Sequence, residues 1–92
     1  MIVRIMGEGQ YRLSEDCVGR VNELDNAVVK AVESDDEDGF HAAFEEMLDV
    51  IRSEGEHLDD ADIETSDVIV PPPDTSMVEA AAEFSGDGLI PD

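Results

Sequence analysis

Phe40-His41-Ala42-Ala43-Phe44-Glu45-Glu46-Met47-Leu48-Asp49-Val50-Ile51 is the stretch whose reading decides the fold. Phe40, Phe44, Met47, Leu48 and Ile51 recur at three- and four-residue steps, while Glu45, Glu46, Asp49 and the following Arg52 fall off that stripe. The spacing predicts an amphipathic helix with one apolar face, which a second layer must cover. Gly55 reads as its C-cap, with Arg52 in the last turn. Upstream, Ser34-Asp35-Asp36-Glu37-Asp38-Gly39 interrupts the periodicity and offers Asp35 or Asp36 as the N-cap. Beyond that break, Val18, Val21, Leu24, Val28 and Val32 form another helical stripe, with Asn22, Glu23, Asp25 and Asn26 on the polar side. Ser14 is the candidate N-cap, and Glu15 and Asp16 occupy the first turn, where the helix dipole favours anions. So short a connection predicts an antiparallel helical hairpin.

The segments outside the two helices supply the partner layer. Met1-Ile2-Val3-Arg4-Ile5-Met6 reads as a strand, Gly7-Glu8-Gly9 as a turn, and Gln10-Tyr11-Arg12-Leu13 as a second, half-buried strand, together a β-hairpin. Arg4 and Arg12 face each other or a nearby carboxylate across it. Residues 56–67 read as polar and irregular. Val68-Ile69-Val70 is a short strand stopped by Pro71-Pro72-Pro73, and proline's missing N–H places it at a sheet edge. The prolines are expected to continue as polyproline II. Ser76 and Glu79 fit a capping box for a short third helix carrying Met77, Ala80, Ala81 and Phe84, closed by Gly86 and Gly88. The tail Leu89-Ile90-Pro91-Asp92 is expected to dock on the core. The whole chain reads as one α+β domain, residues 1–92. Its small sheet, an N-terminal β-hairpin plus a short edge strand, packs on the antiparallel helical hairpin, with a short C-terminal helix.

Charge narrows the function. Asp and Glu number 25 against 5 Lys and Arg, a formal net charge of −20. Such a surface repels phosphate, so nucleic acid is excluded as a partner, as is direct attachment to an anionic membrane. The acidic residues are interleaved with apolar stripes along the whole chain, and Lys30 is the only lysine. That distribution reads as adaptation to high salt, because molar salt shortens the Debye length to about 3 Å and removes most self-repulsion. One cysteine, Cys17, permits no internal disulfide. No apolar run is long enough to span a bilayer, and residues 1–6 are too short for a signal peptide. The expected location is therefore the cytoplasm.

Candidate chemistry is sparse. Asp35-Asp36-Glu37-Asp38-Gly39 lacks the alternation and the bidentate Glu of a calcium loop and reads as solvated. His41, His57 and Cys17 do not stand at metal-ligand spacing. Cys17 reads as a small apolar residue beside two acids that oppose thiolate formation. Gly7-Glu8-Gly9 lacks the third Gly, the Lys and the Ser/Thr of a phosphate loop. The serines read as caps and loop residues, and no nucleophile elbow is present. Pro71-Pro72-Pro73 reads first as a connector and second as a recognition segment. No catalytic, cofactor or metal site is expected. A small hydrolase is disfavoured, and the remaining alternative is an acidic ligand- or metal-sensing domain.

Three stretches carry a family likeness. Met1-Ile2-Val3-Arg4-Ile5-Met6-Gly7-Glu8-Gly9-Gln10-Tyr11 resembles the opening of the PspA-associated protein family, PspAA. Ser66-Asp67-Val68-Ile69-Val70-Pro71-Pro72 is similar to its second signature, and Glu83 through Gly88-Leu89-Ile90-Pro91 to its closing segment. The resemblance implies a non-catalytic accessory protein of a phage-shock-type envelope stress response, with a PspA-like coiled-coil protein as partner. It also implies recruitment to the inner face of the membrane through that partner, and with this acidity a haloarchaeal source. Arg4, Tyr11 and Arg12 are the expected contact residues, because family signature and scarce positive charge meet there. Docking on the sheet edge or on an uncovered part of the helical hairpin would serve. An exposed sheet edge is compatible with a homodimer and does not require one.

Overall fold

The computed structural model describes residues 1–59 and 65–83. In chain order the elements are β1 (Ile2–Ile5), β2 (Gly9–Arg12), α1 (Glu15–Glu33), α2 (Glu37–Glu54), β3 (Glu56–His57), β4 (Val68–Val70) and α3 (Met77–Glu83). The strands form one mixed sheet in the order β3-β2-β1-β4. β1 pairs antiparallel with β2 and parallel with β4, while β3 lies antiparallel on β2. The α+β architecture and the edge position of β4 agree with the sequence reading.

Local chemistry explains most boundaries. The Glu8 amide donates to the Ile5 carbonyl at 2.9 Å, and Gly7 sits inside this turn at φ 87°, a conformation that glycine adopts without steric cost. Ser14 caps α1 by accepting from the Cys17 amide at 3.3 Å. At its other end Asp35 is left-handed, φ 55°, with its amide donating to the Val32 carbonyl and the Asp36 amide to the Ala31 carbonyl. These two bonds are the Schellman closure of a helix. The next residue begins α2: Asp36 is its N-cap, and its Oδ1 accepts from the Gly39 amide at 3.1 Å. The acidic run is therefore a stop and a start compressed into consecutive residues. Gly55 ends α2 with ordinary extended torsions. Its glycine is required by close approach, since a Cβ there would meet the Ile51 carbonyl oxygen and come within 2.8 Å of Leu13 Cδ2.

The core lies between the sheet and the helical hairpin. Val3, Ile5, Tyr11, Val68 and Val70 share the inner face, and all five residues of the α2 stripe are buried. Arg20 near the start of α1 pairs with Glu54 at the end of α2, as antiparallel packing requires.

Several expectations are corrected. The segment after Gly55 is not irregular throughout, because β3 pairs there as Tyr11↔His57 and Arg12↔Glu56. Glu56 and His57 have no strand propensity of their own. α2 returns the chain alongside β2, and two cross-strand contacts hold it: the Tyr11 and His57 rings at 4.9 Å and the Arg12–Glu56 ion pair at 3.6 Å. The buried stripe of α1 is centred on Cys17, Val21, Asp25 and Val28, with Val18, Leu24 and Val32 only partly covered. α1 packs against both α2 and α3, so its buried surface is rotated and wider than a two-helix contact would need. Asp25, read as polar-face, is consequently fully buried. The proline run turns after its second residue, where the Thr75 amide donates to the Pro72 carbonyl at 3.0 Å. The capping box forms as expected. The Glu79 amide donates to Ser76 Oγ at 3.2 Å, and the Ser76 amide donates to Glu79 Oε1 at 3.2 Å. Phe84, the closing glycines and the docking tail lie outside the described residues.

Candidate docking site

The sheet has a second face, opposite the helices, and register dictates what stands on it. Arg4 is paired with Gln10 on one side and Ile69 on the other, so these three project from the same outer face. Ile2 and Arg12, another cross-strand pair, share it. Part of this face is covered by the chain leading into β4. The Gln10 amide nitrogen donates to Ser66 Oγ at 2.8 Å, and Gln10 is buried. The Ile2 amide donates to Asp67 Oδ2 at 2.8 Å, and the Asp67 amide donates back to the Ile2 carbonyl at 2.8 Å. Asp67 thereby sets the register of β4 against β1.

The remainder of the face is open. Met6, next in the outward phase after Arg4, is 51% exposed, and Ile69 is 55% exposed. They border a cleft of about 330 Å³ lined by Met6, Ile69, Pro71, Pro72, Thr75 and Glu79. Three local decisions build it. β4 is the edge strand and places Ile69 outward. The prolines end the ladder and turn the chain at Thr75. The capping box then starts α3 and holds the Glu79 carboxylate at the rim through the amide and hydroxyl of Ser76. A smaller polar concavity of about 140 Å³ adjoins Arg4 on the β2 side, with Glu8, Gln10, His57 and Asp59 in its wall.

The expected contact residues do not converge. Arg4 and Arg12 are exposed on the outer face, where Arg12 is held by Glu56. Tyr11 is 9% exposed and points inward, its ring against His57 and the end of α2. None of the three lines the open cleft; Arg4, although paired with Ile69, lines the smaller polar concavity on the β2 side. Met6 and Ile69 were missed, although a signal was available. A half-buried strand carries apolar residues in one phase, whereas Ile2-Val3-Arg4-Ile5-Met6 and Val68-Ile69-Val70 carry them in both.

Glu8, Arg52 and Cys17 have structural roles. Arg52 Nε donates to Glu8 Oε1 at 2.7 Å, and its Nη2 donates to the other carboxylate oxygen, tying the hairpin turn to the last turn of α2. This hydrogen bonding to Arg52 holds the Glu8 carboxyl below the usual glutamate range, and the same contact raises Arg52. Burial pushes the Cys17 thiol up, reinforced by the nearby Glu54 charge, which keeps it an apolar core residue. Among the described residues no cluster of three or more His, Cys, Asp or Glu is placed to hold a metal ion, and no helix is long and apolar enough to cross a membrane.

The family model described as PspA-Associated protein matches residues 1–92, the full length given. The chain belongs to the PspA-associated family. No match was found among curated proteins or among solved structures. Within the PspA-associated fold seen here, two of the three resembling stretches meet: β1 of the opening segment and β4 of the second signature are direct neighbours, and the cleft lies where they end.

Proposed function

We propose that this chain is a non-catalytic accessory protein that binds a PspA-like coiled-coil protein in a phage-shock-type envelope stress response. The family match over residues 1–92 carries the reading, since it ties the chain to PspA. The apolar cleft supports a binding role. It exposes Met6 and Ile69, and its rim carboxylate accepts from the amide and hydroxyl of Ser76. The chain works on the cytoplasmic side and reaches the membrane only through its partner, because a surface of formal charge −20 is repelled by anionic lipid. The same charge suits a cell interior of high salt.

Co-purification tests the proposal. The chain and a PspA-like coiled-coil protein from the same organism are mixed in molar potassium chloride and run through a sizing column. Co-elution is the expected result. Separate elution of two folded proteins would reduce the connection to a genetic or regulatory one.

A further inference from the structure

The cleft between β4 and α3 has the wrong chemistry for a polar small molecule. Its lining is thioether, isoleucine and two prolines, with Thr75 and the Glu79 carboxylate as the only polar side chains on its wall among the described residues. Small-ligand sites need convergent polar groups to fix orientation. An added strand is also poorly served, because β4 is three residues long and Pro71 follows at once. What the cleft can bury is a pair of apolar side chains, with the flexible Met6 adapting to their shape.

Charge decides what surrounds those side chains. Glu79 stands on the wall, and exposed Asp74 lies in the turn between lining residues Pro72 and Thr75. Elsewhere Arg12, Arg20 and Arg52 are each paired with a carboxylate. Among the described residues no cation lines the cleft, and Arg4, paired with Ile69, lines the polar concavity on the β2 side instead. A second copy of the chain would bring the same acidic rim and a further formal charge of −20 against this one. Complementarity requires the opposite rim.

The geometry points to a docking site for a partner helix that inserts apolar side chains against Met6 and Ile69 and carries Lys or Arg beside them, facing Glu79 and Asp74. The inference relies on the adaptor reading only for which protein bears that helix. Burying the apolar pair supplies the part of the affinity that survives high salt, and the basic flank supplies orientation and selection against acidic helices.

The test uses the full chain and three synthetic probes: an amphipathic Leu/Lys helix, its Leu/Glu counterpart, and an oligolysine of the same charge. Affinity is read by fluorescence anisotropy at moderate salt and at about 1 M potassium chloride, where the Debye length is about 3 Å. Met and Ile methyl resonances report the contact. The Leu/Lys helix is expected to bind at both salts and to shift the Met6 and Ile69 methyls. The double variant Met6→Ser/Ile69→Ser leaves the charge unchanged and replaces exposed side chains, so the fold is retained. It is expected to weaken Leu/Lys binding by about tenfold or more, while oligolysine binding is unaltered and disappears at high salt. Equal Leu/Lys affinity in the variant would reduce the interaction to charge attraction and overturn the site. Equal binding of the Leu/Glu helix would overturn the basic flank. Concentration-dependent methyl shifts without any probe would assign the cleft to a second copy instead. Co-elution of the double variant with the PspA-like protein, alongside failed peptide binding, would leave the adaptor standing and remove only this surface.

Discussion

Replacing Glu8 by Gln probes the ion pair that fastens the β-hairpin turn to the far end of α2. Arg52 grips both oxygens of Glu8, and the two residues are 44 positions apart in sequence, so no local structure enforces their approach. Their side chains are 26% and 36% exposed respectively. Solvent-exposed ion pairs contribute roughly 0.2–1 kcal/mol, and bidentate geometry places this pair near the top of that range, at about 1 kcal/mol. In a domain of this size that corresponds to a fall in melting temperature of about 4–8 °C. The pH dependence has a definite sign. The folded carboxyl of Glu8 lies below its unfolded value, so its contribution is complete above that unfolded value, about 4.3 for an ordinary glutamate. It is lost as the pH falls through the depressed folded value. Thermal melts of wild type and Glu8→Gln, followed by helical circular dichroism, should therefore differ at neutral pH and converge in acid. Because the contact distance is shorter than even the molar-salt Debye length, part of the difference persists in concentrated salt. A double-mutant cycle with Arg52→Gln isolates the pair. A coupling indistinguishable from zero, or a wild-type advantage that does not shrink with acid, would refute the clamp.

Other outcomes follow from the same structure. Asp35→Gly should stabilise the protein by about 0.5–1 kcal/mol in denaturant melts, because Asp35 holds a left-handed torsion that glycine reaches freely. Asp25→Ala should cost about 2–3 kcal/mol in the same assay, since it opens a gap at a fully buried position and removes one side of an interaction there. Lowering the salt should reduce helical circular dichroism as the −20 charge loses its screening, and an unchanged spectrum in dilute buffer would contradict the self-repulsion argument. Ser76→Ala should fray α3 selectively, at about 1 kcal/mol, and hydrogen exchange would show this as lost protection at Glu79 and Ala80 with the sheet unaffected.

The helices and the hairpin were legible because their signals are local. Phe40, Phe44, Met47, Leu48 and Ile51 needed only helical period to be placed inside, and all are buried. Ser14 and the Ser76–Glu79 box were readable because a cap bonds amides two to three residues away. What escaped depends on distant partners. β3 exists because Tyr11 and Arg12 lie beside the chain as it leaves α2, and nothing in Glu56-His57 announces that. Asp25 is buried because it falls on the rotated inner face of α1, which packs on α2 and also touches α3, an arrangement its own periodicity does not encode. The candidate cleft was not legible. Arg4, offered as a contact by the opening signature, is exposed and paired with Ile69 but lines the concavity on the β2 side rather than the cleft. Tyr11 belongs to the same signature but to the opposite phase of its strand, and one residue of phase separates a core ring from a surface contact. Met6 and Ile69 come together only through the parallel pairing of β1 with β4, a contact across more than sixty residues that no short motif specifies.

Calorimetric titration of a purified PspA-like coiled-coil protein into this chain, in molar potassium chloride, decides whether the chain is an adaptor for that protein. Saturable binding at a defined stoichiometry is expected, weakened in the Met6→Ser/Ile69→Ser variant. No heat and no shift in either protein's melting temperature, with both folded, would contradict the adaptor function.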